Sequence, residues 1–385
     1  MKILQVIPYF TPKRGGDVNV CYHLSKSLAK NGHDVTIITT DFEFDHNYAE
    51  TLQQYGVKII PFSCLVNISL FLYSPSMKRW LKLNLSNFEI IHLHNFRTYQ
   101  NILVTKYAKE RKIPVILQAH GDIPYFEKIF IKKIFDILWG RRILNNSNYF
   151  IAVTENEVNQ FSLFGISKEK IEIIPNGMDI TPYKTLPKSG DFRKKYNILP
   201  KTKVILYLGR IHRRKGINYL IEAFFNILRD DPDFKLVIVG SDDGYLSFIK
   251  QQIYELKIEK SVIITGYLSE IDKLKAYVDA DVLVYPGSLE IFGLVQFEAI
   301  MCGTPIIVSN DCGCGEIVKL IDCGYVVKND NINEMTDAIL KIFNNYQAAE
   351  NKALKGKDYI LNTLNWDTIG KKYEKFYHDI IGEIK

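Results

Sequence analysis

The sequence predicts an α/β protein made of two successive doubly wound domains. Three observations carry this. Short apolar runs alternate with helical patterns through the first half of the chain. The alternation breaks near residues 179–200, a stretch rich in Pro, Lys, Thr and Ser. A second series of similar size then begins. Continuous Val/Ile/Leu runs separated by helices mark parallel strands buried on both faces, which is a Rossmann-like arrangement. At 385 residues the chain is long enough for two separate cores.

The expected strands of the first domain are Lys2–Ile7, Asp34–Thr39, Val57–Pro61, Ile90–His94, Pro114–Ala119 and Tyr149–Val153. Those of the second are Val204–Gly209, Lys235–Gly240, Val262–Thr265, Asp281–Tyr285, Pro305–Ser309 and Tyr325–Val327. The expected division is a first domain over 1–185, a linker over 186–200, a second domain over 201–365 and a C-terminal helix over 366–385. That aromatic-rich amphipathic helix packs on the second domain or crosses back to the first. Ligands of doubly wound sheets bind beyond the carboxyl ends of the strands, so two facing domains would share one cleft.

The hydrophobic content of 47% and charged content of 24% are those of a globular protein. A net charge of +6 suits anionic ligands or an anionic membrane surface, and no arginine-rich tract or nucleic-acid motif is present. The opening Met-Lys-Ile-Leu-Gln-Val-Ile-Pro reads as a buried strand, not a signal peptide. No apolar run approaches the ~20 residues of a membrane span. Six cysteines without a disulfide-framework spacing fit a reducing cytosol, so a cytoplasmic location is expected.

The most informative stretch runs from Tyr285 to Glu298. It joins an apolar strand to an apolar helix and places two carboxylates, Glu290 and Glu298, about the turn. Glu290 is expected in the loop or at the N-cap, and Glu298 about two helical turns further on. A helix start offers unpaired N–H groups to a phosphate, and carboxylates accept from hydroxyls. Phosphate plus polyhydroxyl describes a sugar nucleotide. Gly209-Arg210 ends one strand, and Lys215-Gly216 follows at a helix start. An arginine fork and a lysine point charge there can clamp a diphosphate, with His212, Arg213 and Arg214 adding local charge; a solvated basic loop is the plainer alternative. Gly15-Gly16 after the first strand permits close ligand approach or a simple turn. It is not Gly-x-Gly-x-x-Gly, which disfavours a dinucleotide.

Taken together, these pieces resemble the family 4 nucleotide-sugar glycosyltransferases, glycosyl transferases group 1, over nearly the whole chain. The resemblance rests on Gly-Arg…Lys-Gly at 209–216, Ile-Pro-Asn-Gly-Met-Asp at 174–179, Ile-Thr-Gly-Tyr at 264–267 and Asp-Ala-Asp-Val at 279–282. Its strongest part is Glu290-Ile-Phe-Gly-Leu…Glu298 followed by Gly303-Thr-Pro. It implies the GT-B fold and retaining, metal-independent transfer from a nucleoside diphosphate sugar, with no other cofactor. It also implies that Arg210 and Lys215 hold the diphosphate and that Gly15 and Gly16 approach it from the first domain. The N–H groups of Phe292, Gly293 and Leu294 complete the cradle, and Gly266 and Tyr267 lie by the base. Glu298 then accepts from the ribose, Glu290 faces the transferred sugar, and His120 orients a group near the anomeric carbon. The acceptor is implied to be a glycan or lipid-linked saccharide. A sugar-nucleotide epimerase of the same fold and a non-catalytic sugar-nucleotide sensor are the rival readings.

Other motifs carry less. Asp279 and Asp281 form an Asp-x-Asp pair that elsewhere holds a metal, but turn and capping roles fit their position better. Cys312, Cys314 and Cys323 lack paired zinc-ligand spacing. Around residues 126–144, Phe126, Ile129, Phe130, Ile134, Ile137 and Leu138 follow helical spacing beside Lys128, Lys132, Lys133, Arg141 and Arg142. This is either a core-facing helix or a basic amphipathic helix docking on the inner face of an anionic membrane. Residues 70–85, with Phe71, Tyr73, Met77 and Trp80, raise the same alternatives.

Overall fold

The computed structural model describes every residue except 69, 70, 126, 127, 289 and 385. It contains two compact units, residues 1–177 with 366–385, and residues 178–365. The strands of the first are β1 (Lys2–Val6), β2 (Asp34–Thr40), β3 (Lys58–Phe62), β4 (Val66–Ile68), β5 (Phe71–Tyr73), β6 (Ile90–His94), β7 (Val115–Gln118), β8 (Tyr149–Ala152) and β9 (Ile171–Ile173). Seven of them form a parallel sheet in the order β3-β2-β1-β6-β7-β8-β9, while β4 and β5 form a separate hairpin. The second unit has β10 (Lys203–Leu208), β11 (Phe234–Val239), β12 (Val262–Gly266), β13 (Val282–Tyr285), β14 (Ile306–Ser309) and β15 (Tyr325–Val327). Its parallel order is β12-β11-β10-β13-β14-β15.

Both sheets follow from local pattern. In β10 every residue after Lys203 is buried, as a strand covered on both faces requires. The helix Ile217–Asp230 buries Ile217, Leu220, Ile221, Phe224 and Ile227, the spacing of one face laid on the sheet. Strand order reverses between β1 and β6 and again between β10 and β13. Such reversals open a crevice at the strands' carboxyl ends, so chemistry is expected after β1, β6, β10 and β13.

Two boundaries differ from the sequence expectation, and three short strands are additional to it. The first unit ends at Gly177 rather than at 185. Residues 186–200 fold onto the second unit, where the helix Asp191–Lys195 buries Phe192. The strand β9 and the β4–β5 hairpin were not foreseen, because three-residue strands carry almost no periodicity.

The C-terminal helix Trp366–Ile384 belongs to the first unit. It buries Ile369, Tyr373, Tyr377 and Ile380, and Trp366 stacks on His23 at 5.6 Å. Burial of that stripe stabilises its seating by roughly 1.5–3 kcal/mol per side chain. Among the described residues, no helix is long and apolar enough to cross a membrane.

Candidate active site

Three neighbouring strands of the second unit end in glycine. Gly209 follows β10, Gly240 follows β11, and Gly266 closes β12. They are tied side by side, with Gly209 N–H donating to Val239 and Gly240 N–H donating to Gly266 (both 3.0 Å). A Cβ on Gly240 would lie 1.8 Å from the Gly209 carbonyl oxygen, so only glycine permits this approach. Tyr267, next along, is exposed. Gly240 was missed as a site residue because one glycine at a strand end has no distinguishing spacing.

At the β10–β13 reversal a short turn, Arg213–Lys215, leads into Gly216. Gly216 has φ +66°, and a Cβ there would sit 2.4 Å from the Pro286 carbonyl oxygen. Ser288 N–H donates to the Arg214 carbonyl at 2.9 Å and straps the two loops together. Lys215 Nζ therefore reaches the Tyr285 hydroxyl at 2.6 Å and forms an ion pair with Glu290. Tyr285 also donates to Glu290 Oε2 at 2.9 Å and stacks on Tyr207. Burial pushes the Glu290 carboxyl up, but Lys215 and Tyr285 more than offset it, so its pKa lies below the usual value. Glu290 is thus an anion that accepts and does not donate. Tyr285 and Tyr207 were not singled out from sequence; both sit at inward strand positions that look like ordinary core.

Arg210 follows Gly209, is largely exposed, and pairs with Asp243 at 2.8 Å. Tyr207 donates to the Arg210 carbonyl at 2.9 Å, which fixes the backbone but leaves the guanidinium at the surface.

The two carboxylates are not arranged as expected. The helix is shorter, Val295–Met301, and its N-cap is Leu294. Glu298 is therefore in the first helical turn, not two turns in. Glu290 lies in the loop, the first of its two expected places, where it pairs as a β-bridge with Cys312 and its carbonyl accepts from Gly313 at 2.7 Å. The physical reason is Gly293: its φ of +74° breaks the apolar run, so the helix begins only after it. Phe292 is buried, and Leu289 lies outside the described residues. Glu298 accepts from the Tyr277 hydroxyl at 2.7 Å and pairs with Lys273 at 3.2 Å. Glu290 and Glu298 thus anchor two distinct hydrogen-bonded clusters.

In the first unit, Gly15 (φ +105°) caps the helix Gly16–Lys30 after β1, and nothing within 4 Å would meet a Cβ on either glycine. Asp17, overlooked in the sequence, follows them and accepts from Tyr9 at 3.1 Å and Asn95 at 2.9 Å. His120 lies just beyond β7 with φ +51°, and its ring meets His94 from the end of β6 at 2.9 Å. Glu157 holds the same loop by accepting from Gly121 N–H and Val153 N–H (both 2.9 Å). Burial pushes its carboxyl up to about 7.

The Asp-x-Asp pair is committed to structure. Asp279 accepts from the N–H groups of Gly190, Phe192 and Arg193, capping the helix Asp191–Lys195. Asp281 accepts from Val204 N–H at 2.7 Å and Arg193 at 2.9 Å. Cys312 and Cys314 are buried with their sulfurs 3.1 Å apart, and Cys323 is a free buried thiol. Among the described residues one mixed cluster could hold a metal, His33, Glu374 and His378. Two of its members already have partners, since His33 bonds Met1 and Glu374, and Glu374 also accepts from Asn31. A surface cavity of about 880 Å³ among Glu222, Phe248, Gln252 and Asn331 contains none of the expected donor residues.

The apolar face at 128–138 is outward. Phe130 and Ile137 are each 75% exposed, and Ile129, Ile131, Ile134 and Leu138 are also exposed. The helix Ile129–Phe135 runs into a π-turn at Asp136–Gly140, where buried Asp136 takes a bidentate pair from Arg97 (2.9 and 2.7 Å). Phe126 and Leu70 lie outside the described residues. In the helix Pro75–Asn84, Met77 and Leu81 are buried and Trp80 packs against the core, so that face serves the fold.

Residues 188–358 match the family described as Glycosyl transferases group 1, and residues 14–181 match Glycosyltransferase Family 4. The chain is 23% identical over 399 residues to N-acetyl-alpha-D-glucosaminyl L-malate synthase of Bacillus anthracis, covering 97% of this chain and 96% of the relative. It is 27% identical over 384 residues to alpha-monoglucosyldiacylglycerol synthase of Streptococcus pneumoniae, covering 97% and 84%. Its fold is similar to the crystal structure of Anabaena HepE in complex with UDP (TM-score 0.79, 19% identity, 98% of this chain and 100% of the other).

Proposed function

The chain belongs to the family 4 glycosyltransferases, and from that premise we propose a retaining, hexosyl-type transfer from a nucleoside diphosphate sugar to a glycan or lipid-linked saccharide, without a metal. The carrying observation is the Lys215–Tyr285–Glu290 cluster at the β10–β13 reversal. A diphosphate entering there exchanges one anionic partner of Lys215 for another, so the lysine stays neutralised throughout. Arg210 supplies a second cation. Such placed charges are worth ~3–4 kcal/mol each when they meet charge that develops in the transition state. Glu290, released from full engagement with Lys215, keeps lone pairs for a sugar hydroxyl. The glycine ledge of Gly209, Gly240 and Gly266 lets a flat base or phosphate approach backbone closely. On this reading the leaving phosphate oxygen takes the acceptor's proton.

UDP and UDP-glucose are held by the Anabaena structures, so uridine donors are the first choice for this chain. Metal independence is consistent with Asp279 and Asp281 being engaged by backbone N–H groups and Arg193. The exposed apolar face of 128–138, rimmed by Lys128, Lys132, Lys133, Arg141 and Arg142, favours peripheral docking on anionic lipid. The name of the pneumococcal relative, a diacylglycerol glycolipid synthase, supports a lipid acceptor.

A nucleotide-sugar panel read by thermal shift, followed by transfer assays with and without EDTA, tests the proposal. A ligand at 100 times its Kd should add ~2.7 kcal/mol. NMR of the product's anomeric carbon reads retention. Donor epimerised in the absence of acceptor would establish the epimerase alternative, and binding with neither hydrolysis nor transfer would establish the sensor.

A further inference from the structure

The first unit carries a file of three stacked imidazoles. His92 and His94 are two residues apart on β6, so both point to one face, with ring centroids 4.4 Å apart. His120 stacks on His94 at 5.1 Å and 10°. We propose that His94 is a positioning residue: it holds His120 in the tautomer protonated on Nε2, so that His120 presents Nδ1 as an acceptor and takes a hydrogen bond from a saccharide hydroxyl. The inference rests on the sugar-transfer reading for its ligand, but not for its tautomer.

Proton accounting along the file sets the tautomers. A neutral imidazole has one N–H and one lone pair. Gln5 Oε1, an acceptor only, meets His94 Nε2 at 2.7 Å, so that nitrogen carries the proton. His94 Nδ1 is then a lone pair. It lies 2.9 Å from His120 Nε2, which must donate to it. His120 Nδ1 is left as a lone pair, with the Asp17 carboxylate the charged group near the ring.

The orientation of the Gln5 amide, with Oε1 toward His94 Nε2, sets this order; the opposite rotation would reverse the protons on His94 and His120. Tyr377 hydroxyl meets His92 Nδ1 at 2.6 Å, and Tyr373 hydroxyl donates to Gln118 Oε1 at 3.0 Å. His92 Nε2 is buried without a hydrogen-bond partner among the described residues. The whole file stays neutral, because burial lowers His92 to about 3 and His120 to about 4. The backbone adds a second constraint. His120 sits at φ +51°, a region that non-glycine residues rarely adopt, with Gly121 N–H anchored on Glu157. An acceptor held this rigidly selects a hydroxyl and repels a phosphate or carbonyl oxygen.

The decisive measurement is long-range ¹H–¹⁵N NMR on the unliganded full chain with ¹⁵N-labelled histidine. Proton on His120 Nε2 and a bare Nδ1 is the expected result; a proton on Nδ1 overturns the proposal. This readout stands whether or not the protein transfers sugar, so it separates failure here from failure of the proposed function. Two variants then test the role. His94→Phe keeps the ring volume but removes the acceptor. His94→Asn loses volume but offers Oδ1 where Nδ1 was. Loss of one positioning hydrogen bond should lower kcat of His94→Phe about tenfold, with affinity for free nucleoside diphosphate unchanged and His94→Asn the more active of the two. A role in packing alone gives the opposite ranking, and that ranking would refute the assignment.

Discussion

Replacing Lys215 by Met separates what the lysine does for the fold from what it does for the reaction. Its side chain is 15% exposed and that of Glu290 is 28% exposed, so the pair is largely but not wholly dry. Breaking a fully buried pair costs ~3–5 kcal/mol, because a bare charge stays behind. Residual solvent access at Glu290 and the surviving Tyr285 hydrogen bond reduce this to about 2 kcal/mol. For a unit of this size that lowers Tm by roughly 4–8 °C. Adding Glu290→Gln removes the stranded carboxylate and should recover at least half of the loss. Activity should not recover. Removing one charge from the proposed diphosphate site predicts a fall in kcat/KM of about 10²–10³ in both variants. Differential scanning fluorimetry reads the first effect and initial rates with a nucleotide sugar read the second. The pair also has a pH signature. The folded carboxyl of Glu290 lies below its ordinary 4.5, so its stabilisation is present above that pH and is lost as pH falls through the lower folded value. Glu290→Gln should lack that acid-side loss. The reasoning fails if the double variant is no more stable than Lys215→Met, or if Lys215→Met keeps more than about a tenth of kcat/KM.

Three further outcomes follow from single contacts. Gly216→Ala forces a Cβ to 2.4 Å from the Pro286 oxygen at φ +66°, so it should cost at least ~1–2 kcal/mol and weaken donor affinity by displacing Lys215, both readable by thermal shift with and without nucleoside diphosphate. Burial raises Glu157 from 4.5 to about 7, so the folded state holds its proton more tightly than the unfolded one. Stability from this group is complete below pH 4.5 and declines by up to about 3 kcal/mol as pH rises through 7; a urea-unfolding series should show that slope in the wild type and not in Glu157→Gln. Phe130→Asp with Ile137→Asp, both on exposed positions, should abolish flotation with anionic vesicles while leaving Tm within a degree or two, and flotation that persists would remove the docking surface.

The fold was legible because a buried parallel strand cannot disguise itself. All but the first residue of Lys203–Leu208 are buried, and the sequence there is a plain apolar run. The sites were legible only where punctuation marks them. Gly209, Gly216 and Gly293 announce turns, and the charged residues beside them inherit attention. What was hidden depends on pairing across the sheet. Tyr285 and Tyr207 read as core until parallel pairing of β10 with β13 stacks their rings and aims the Tyr285 hydroxyl at Lys215 and Glu290. His94 ends an ordinary strand, and nothing in its neighbours predicts Gln5, within β1, or His120, just beyond β7. The exposed face at 128–138 was undecidable from spacing, since a core-facing helix and an outward one share the same periodicity.

The separation of the two carboxylates changes how a sugar nucleotide would be held. The sequence suggests two acids flanking one strand-to-helix turn, and the break at Gly293 gives each its own cation: Lys215 for Glu290, Lys273 for Glu298. A carboxylate has about four lone-pair positions. Tyr277 and Lys273 occupy some of those on Glu298, which fixes its orientation while leaving room for a ribose diol. Glu290 differs because its cation is also the proposed diphosphate ligand, so sugar binding and phosphate binding compete for one lysine and are coupled through it. Free nucleoside diphosphate should therefore loosen Glu290 from Lys215, whereas a nucleoside without phosphates should leave that pair intact. Calorimetry on Glu290→Gln distinguishes the two: diphosphate affinity should rise, since the lysine no longer has a rival anion, and nucleoside affinity should not change. If diphosphate affinity falls instead, Glu290 supports the phosphate site and does not compete with it.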